Sequence, residues 1–548
     1  MTTARPVVAV VPFGARGRES AGAIGRQLAR RLVDRFTDGE AELRPVFLVA
    51  MPEERSEAGY LVFGSTPDVD LAASYGRSLG TTHALTGLYR EDGNARALDV
   101  TLIGVPGATV VAQTTLPIAG GALHEAERGL SAWLAKSLGV AEPMADTPAA
   151  NEAAYVELLR GLDEEVNATL LRSGATGAEE AARANAFDHF VKALRSDQGC
   201  ALAEEHLLVL AAESVERGDE ARAARALEEA TEIRPSSWQA QYLLGQLRVA
   251  IGETNAAIVA LEHSHALHPL READVVSLAE LYVAAGASGQ AASHLRRIGP
   301  DSPTYGRAQE LLGLVAMAAG DLARSREHLS RAAAAGLDNA RLELVRLDVS
   351  FGRLEEAKNE VDALITSTSA PETLARARRL RLGIERPDLE AQLERAGRAA
   401  LSAEGDALDE ARHAFERVVA YDPAVWEAHF GLGLIARKRE DHSAAAAAFR
   451  RVLELLPEQP DALHELGVAL LVSGSDGDAV RLLDQAATLR PRDAAYLADA
   501  GFAHLRAGDL PAARERLRLA SAIDANDPLT RGYLEELARA EEASPRTN

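Results

Sequence analysis

The stretch WEAHFGLGLIARKREDHSAAAAAFRRVLELLPEQ, residues 426–459, decides the fold, because the chain repeats its pattern at intervals of 34 residues. Four kinds of position recur at that interval: Gly433, Gly467 and Gly501; Ala411, Ala445, Ala479 and Ala513; Phe415, Phe449, Leu483 and Leu517; and Pro423, Pro457 and Pro491. The units are residues 392–425, 426–459, 460–493 and 494–527. A glycine in the first half lets a second helix approach, and the larger residue of that helix fills the remaining space. Proline ends each pair, so every unit predicts two antiparallel helices.

An earlier block of the chain follows the same period. Its recurring positions are Leu210, Leu244 and Leu278; Gly218, Gly252 and Gly286; Ala223, Ala257 and Ala291; and Leu227, Leu261 and Leu295. Looser copies extend this first block to residues 151–370, and the second block is residues 392–527. Between them, residues 371–391 break the period, which predicts an irregular helical joint. Residues 528–541 suit a capping helix, and residues 542–548 are expected to form a flexible tail.

The period and its glycine, alanine, large-residue and proline positions resemble the tetratricopeptide-repeat family over about 400 residues. The sequence differs from that family at the aromatic position near the start of each unit, where Leu463 and Leu497 stand. The resemblance implies an all-α solenoid, since single units cannot bury their own apolar faces. Its inner, concave surface would be available to a partner.

The spacing of apolar residues is different in residues 1–140 and predicts a small α/β domain. A linker at residues 141–150 joins this domain to the repeats. The run VVAVVPF predicts a buried strand, and Ile24, Leu28, Leu32 and Phe36 have helical spacing. Further strands are predicted for LRPVFLVA and for three runs after residue 80, with tight turns at Gly93 and Gly107. The predicted order is β-α-β-α-β-β-β-α.

This N-terminal order resembles the TolB amino-terminal-like domain that often precedes tetratricopeptide repeats in bacterial regulators. The resemblance rests on VAVVPF, on DLAASYGRSLGTTHALTGLYRE and on the hairpin that follows. Two loops differ from the family, GARGRES after the first strand and GVPGAT in the hairpin. The resemblance implies a role in bacterial signalling or assembly.

Charge is distributed unevenly along the chain. The formal net charge is −23, yet residues 1–140 contain 14 Lys and Arg against 15 Asp and Glu. The remainder is therefore strongly acidic, which disfavours a nucleic-acid partner.

A single cysteine, Cys200, excludes an intrachain disulfide, and its simplest interpretation is a buried thiol. Without a signal sequence or an apolar stretch long enough to span a membrane, we expect a cytoplasmic protein.

The most informative candidate surface is the inner face of the second block. If Leu-Gly marks positions seven and eight of a unit, positions two, five, nine and twelve face the groove. In the last three units these include Phe430, Leu434, Arg437, His464, Val468, Leu471, Phe502 and Leu505. Six of the eight are apolar, which predicts a site for a partner helix or extended peptide. The alternative is that these side chains pack on each other within a tight superhelix.

A second candidate is the loop GARGRES, where Arg16, Gly17 and Arg18 precede a helix. Backbone N–H groups and two arginines at such a place attract anions. The loop lacks the Lys-Ser/Thr pair of a phosphate loop and the third glycine of a dinucleotide fingerprint, so a solvated loop is the other interpretation.

Motifs of catalysis or metal binding are weak. The serine of Gly76-Arg77-Ser78-Leu79-Gly80 ends a predicted helix, whereas a nucleophile elbow follows a strand. The histidines His263, His265 and His268 lack a carboxylate at ligand spacing, and Asp476 with Asp478 lacks the further oxygens of a calcium loop. We therefore expect a non-catalytic adaptor with no cofactor that binds a protein or peptide partner, and self-association is open. The alternative is a sensor whose N-terminal domain binds a small anion and relays to the repeats.

Overall fold

The computed structural model describes residues 5–17, 21–37, 39–46, 68–93, 95–119, 123–143, 148–171, 176–402 and 404–543. It has the predicted fold class, a small α/β region followed by an all-α tetratricopeptide-like solenoid. The chain forms two compact units, Met1–Ala287 and Ser288–Asn548.

The first unit begins with a mixed sheet of β1 (Val7–Val10), β2 (Gly14–Arg16), β3 (Glu42–Pro45), β4 (His83–Asp92), β5 (Ala95–Gly104) and β6 (Thr109–Ile118). The strands lie in the order β3-β1-β4-β5-β6, and β2 pairs with β4. Three helices accompany them: α1 (Ala21–Arg35), α2 (Val69–Ser78) and α3 (Leu123–Leu138). Neighbours of β1 are parallel, whereas β4, β5 and β6 form an antiparallel meander.

Two details of this region differ from the sequence-based expectation. Residues 14–16, assigned to a loop, form the short strand β2, which is added to the predicted order. The strand predicted at 43–50 is present as β3 over Glu42–Pro45, and residues 47–50 lie outside the described residues. Gly93 has φ of 64° at its turn, as a tight hairpin requires. At the next turn the positive φ belongs to Ala108, at 46°, and not to Gly107. A bulge between β5 and β6 lies close by and changes the local backbone path.

The helices of the first unit continue directly from the sheet region. They are α4 (Glu152–Leu171), α5 (Thr176–Ser196), α6 (Ala201–Arg217), α7 (Glu220–Ile233), α8 (Trp238–Ile251), α9 (Thr254–Leu267) and α10 (Glu272–Ala284). Ile24, Leu28, Leu32 and Phe36 are buried, which confirms the helical spacing of α1. One hydrophobic cluster runs from Val8 in the sheet through the helical pairs, so the α/β region and the first repeats share a core.

A buried charge cluster reinforces this junction. The carboxylate of Glu127 in α3 is fully buried and accepts hydrogen bonds from Arg31 Nε at 3.2 Å and Arg35 Nε at 2.8 Å. The Tyr155 hydroxyl of α4 also donates to it. Two further ion pairs join the same region: Arg26 with Asp163 and Arg96 with Glu152. Because buried charges require such partners, the cluster ties α1, α3 and α4 together.

The second unit consists of helices, most of which form antiparallel pairs. They are α11 (Ser288–Leu295), α12 (Tyr305–Ala318), α13 (Leu322–Ala334), α14 (Asp338–Ser350), α15 (Leu354–Ser367), α16 (Pro371–Glu385), α17 (Pro387–Ser402), α18 (Asp406–Tyr421), α19 (Trp426–Lys438), α20 (His442–Leu455), α21 (Pro460–Val472), α22 (Asp476–Leu489), α23 (Ala494–Ala507), α24 (Leu510–Ile523) and α25 (Pro528–Ala543). Residues 371–391 form α16 and the start of α17, both regular helices, which are separated by Arg386.

The repeat glycines allow close contact within each pair. A Cβ atom added at Gly433 would lie 2.6 Å from Cε1 of Phe449, and one at Gly467 would lie 2.6 Å from Cγ of Leu483. Such distances leave no room for a methyl group. The structure thus confirms that the small residue of the first helix and the large residue of the second form one packing contact.

The turn between the paired helices favours glycine because its backbone is left-handed. Gly474 and Gly508 have φ of 78° and 84°, whereas Glu440, one period earlier, has φ of 59°. We expect Glu440→Gly to raise the free energy of unfolding by about 0.5–1 kcal/mol, since the strain of a side chain is removed there. Urea unfolding measures the gain. Glu440→Ala, which keeps a Cβ atom, should give none, and an equal gain for both would contradict the explanation.

Candidate partner-binding groove

The first unit contains a groove lined by the first helices of three successive pairs, with a volume of about 570 Å³. Its lining residues are Leu208, Val209 and Ala212 from α6; Trp238, Gln239, Tyr242 and Leu243 from α8; His268, Pro269, Leu270 and Arg271 before α10; and Asp274 within it. Most of the surface that these side chains expose in the groove is apolar. A concave, apolar lining with few polar groups is the usual character of a binding site.

An aromatic pair forms one wall of the groove. The rings of Trp238 and His268 stack with centroids 4.3 Å apart. Trp238 is placed there because α8 begins at that residue, after Ser237, whose hydroxyl caps the helix by accepting from Ala240 N at 3.2 Å. Val209, on the neighbouring helix α6, has a side chain that is 47% exposed. A large apolar side chain of a partner could therefore contact both helices at once.

Polar groups at the rim are held in fixed positions. The Tyr242 hydroxyl donates to Asp274 Oδ1 at 2.8 Å, and Arg271 Nε donates to Asp274 Oδ2 at 2.9 Å. Desolvation of the phenol raises the pKa of Tyr242, and its hydrogen bond to Asp274 acts in the same direction. Tyr242 therefore remains a protonated donor, and the rim offers oriented polar groups beside an apolar floor.

The sequence contained the signal for this groove. Positions two, five and nine of the units that begin at residues 204 and 238 select six residues. Four of them, Leu208, Ala212, Gln239 and Tyr242, line the groove, whereas Glu205 and Gln246 do not. The predicted stripe lies in the last three repeats and does not include these two. What the period could not indicate is the stacking of His268 on Trp238, because this contact depends on the loop before α10.

In the second unit, the predicted stripe is largely taken up by contacts between neighbouring helices. Leu434 and Leu471 are buried in the core, with exposed fractions of 7% and 6%. Phe430 places its ring 5.4 Å from that of Phe449, between centroids. Val468 and Leu505 are half-buried against the same cluster.

The remaining residues of the stripe also have partners within the second compact unit, Ser288–Asn548. Arg437 Nη1 lies 2.7 Å from Glu465 Oε1, and His464 Nε2 lies 2.8 Å from Asp499 Oδ2. The ring of Phe502 stacks on Tyr533 of α25, with centroids 4.3 Å apart. The structure therefore places these eight residues along the helices α19, α21 and α23, where Arg437, His464 and Phe502 join one repeat to the next.

The predicted anion loop is only partly described. Arg16 ends β2 with an exposed side chain, and Arg18 lies outside the described residues. Gly17 has φ of 145°, and a Cβ atom there would lie 2.7 Å from Cβ of Glu91. Close approach to β4 thus explains the glycine without a ligand.

A larger cavity of about 650 Å³ lies between α1, α4 and α6. Its charged lining mixes both signs: Arg30, Arg31 and His206 with Asp34 and Glu165. Burial raises the pKa of Asp34, and the neighbouring arginines oppose that effect. Because both basic and acidic side chains line this cavity, its charge does not favour an anion.

The other candidate residues have structural contacts. His265 Nδ1 accepts from Leu270 N at 3.1 Å, His263 is exposed, and Ser78 Oγ donates to Ser74 O at 3.1 Å. Asp476 pairs with Arg506 and Asp478 with Arg481. Cys200 is buried with Sγ 3.1 Å from Pro148 O, and burial raises the pKa of its thiol. Within the described ranges, no group of three or more His, Cys, Asp or Glu side chains could hold a metal ion.

Comparison with known proteins supports the repeats. A family model described as Tetratricopeptide repeat matches residues 208–266 and 395–462. The first match contains the start of the groove on α6 and all of α8. The TolB-like character of the N-terminal region has no such match and stays a prediction. No curated protein sequence matches the chain.

Solved structures with similar helical arrangements include MamA, with 23% identity, coverage of 29% of this chain and 90% of that one, and a TM-score of 0.24. The tetratricopeptide domain of P58(IPK) has 16% identity, covers 62% and 99%, and has a TM-score of 0.25. The protein pilF of Pseudomonas aeruginosa has 18% identity, covers 41% and 94%, and has a TM-score of 0.29. At these values the likeness identifies neither a partner nor an activity. None of the described helices has the length and apolar character needed to span a bilayer.

Proposed function

We propose that the protein is a non-catalytic scaffold or adaptor that binds an extended segment of a partner protein in the groove of its first unit. The observation that carries this proposal is the apolar lining contributed by the helices α6 and α8 and by the loop before α10. Repeat proteins use such inner surfaces for binding, and the matched repeats support that use here. A role in bacterial signalling or assembly rests on the resemblance of the N-terminal region to regulators with a TolB-like domain.

The groove suits a peptide better than a small polar molecule. Leu208, Val209 and Leu243 would contact apolar side chains, while Gln239 at the edge could hydrogen-bond the peptide backbone. The aromatic pair of Trp238 and His268 gives a rigid wall, and rigid aromatic side chains contribute much of the energy at protein interfaces. The eight residues of the second unit stay a prediction of a further contact surface.

We expect Val209→Glu to weaken partner binding at least about tenfold, because a carboxylate would be desolvated in an apolar groove. Val209 is 47% exposed, so the fold should tolerate the change. The measurement begins with capture of partners from an extract of the native cells and identification by mass spectrometry. The affinity of a purified partner for each variant is then compared by calorimetry.

A matched control is Val259→Glu on α9, where the valine is 52% exposed and does not line the groove. It introduces the same charge in the same unit. The proposal holds if the partner binds the Val259→Glu variant as it binds the unmodified protein and binds the Val209→Glu variant weakly. Equal affinities for both variants would place binding elsewhere.

A further inference from the structure

The last strand of the sheet, β6, has no described strand along its outer side. Among the described strands it has one neighbour, β5, and it extends over ten residues from Thr109 to Ile118. The opposite edge is β3, which has only four residues and carries the charged pair Glu42 and Arg44. The long free edge of the sheet is therefore β6.

Charged side chains, proline and bulges are the devices by which β-sheet proteins protect such an edge. The sequence of β6, TVVAQTTLPI, contains no charged residue, and its bulge and Pro117 lie towards its two ends. Val110 and Val111 are 48% and 49% exposed. Leu102 pairs with Ala112 and Ile103 with Val110, so Val111 is the extra residue of a bulge. Apolar side chains thus stand where a protected edge would present lysine or glutamate.

We propose that β6 pairs with β6 of a second copy of this chain, in an antiparallel arrangement about a two-fold axis. Two identical uncharged strands place no like charges opposite each other, and an antiparallel pair of the same strand is self-complementary. The sheet of each copy would then continue into the other.

The charge distribution favours this contact over one between the helical parts. Residues 1–140 contain 14 basic and 15 acidic residues, so two such regions approach without net repulsion. The remainder of the chain carries nearly all of the net charge of −23, and two such surfaces repel each other. A self-contact is therefore most favourable at the sheet.

Two features limit the length of the pairing. The bulge at Val111 interrupts the regular edge, and Pro117 has no backbone N–H to donate. The regular stretch between them is Ala112–Leu116, in which Gln113 and Thr115 have exposed side chains. The new ladder would be centred on this stretch, with the valines at its end.

The test is sedimentation velocity of the full chain across the micromolar range. We expect the unmodified protein to have twice the chain mass of 58.2 kDa. In the Val111→Lys/Gln113→Lys variant, four lysines would meet at the two-fold contact, and the dissociation constant should rise by about tenfold or more. Far-UV circular dichroism verifies that the variant stays folded.

Val259→Lys is the matched control, since Val259 is a similarly exposed valine on a helix. It should leave the dimer intact. Hydrogen exchange gives a second measurement, in which dilution to the monomer should selectively lose protection at residues 112–116. The proposal is overturned if the unmodified protein is monomeric throughout the range, or if its dimer is equally stable in the double-lysine variant.

Discussion

We expect Phe449→Ala to lower the free energy of unfolding of the second unit by about 3–5 kcal/mol. The Phe449 side chain in α20 is fully buried, and its ring packs against the glycine of the preceding helix and against Phe430. Removing it loses the burial of the ring and leaves a cavity in the contact between α19 and α20. Urea unfolding combined with hydrogen exchange of these two helices measures the loss.

Gly433→Ala tests the other side of the same contact. The added methyl group would lie 2.6 Å from the Phe449 ring, which is too confined to move away, so we expect a net loss of about 1–2 kcal/mol despite alanine's better helix propensity. When Gly433→Ala is combined with Phe449→Ala, the added methyl group would occupy space left by the ring. The double variant should therefore lose less than the sum of the two single losses, with a coupling of about 1 kcal/mol or more.

Gly397→Ala in α17 is the control for the glycine, because a Cβ atom there would have open space around it. It should stabilise by about 0.5–1 kcal/mol through helix propensity alone. If Gly433→Ala also stabilised the protein, or if the double variant showed strict additivity, close packing would not be the reason for the repeated glycine.

The helical part of the fold could be predicted because its packing is local in sequence. Gly433 meets Phe449 only 16 residues later, so one period of 34 contains both partners of the contact. The strand order of the sheet could not be predicted from such local spacing. The register of β1 with β3 and β4 joins residues far apart, and the added strand β2 depends on a neighbour, Leu88, some seventy residues away.

The groove was only partly predictable for a related reason. Position within the repeat tells which residues face inward, which is why Leu208 and Tyr242 follow from the period. It does not tell whether an inward residue is open or covered. Phe502 is covered by Tyr533 of the capping helix α25, and His464 is covered by Tyr496 of the next repeat.

Glu127→Gln should have an effect comparable to that of Phe449→Ala, a loss of about 3–5 kcal/mol in the first unit. The substitution keeps the shape of the side chain but removes the carboxylate that Arg31 and Arg35 share. The side chains of both arginines are largely buried, so they would lose this counter-charge in a place where water cannot replace it. Hydrogen exchange of α1, α3 and α4 would show where protection is lost.

The matched control is Glu229→Gln, which removes the carboxylate of an exposed pair with Arg195 and should cost less than about 1 kcal/mol. Glu127 accepts hydrogen bonds from arginines of α1 and from Tyr155 of α4. The loss of its carboxylate should therefore open the α/β region and the first helical pair together. Opening of α3 alone, with α4 still protected, would mean that the two parts are held by their apolar core and that the charge cluster is secondary. Joint opening would show that the α/β region is held rigidly to the first helical pair. A partner in the groove and a contact at β6 would then be carried by one rigid body.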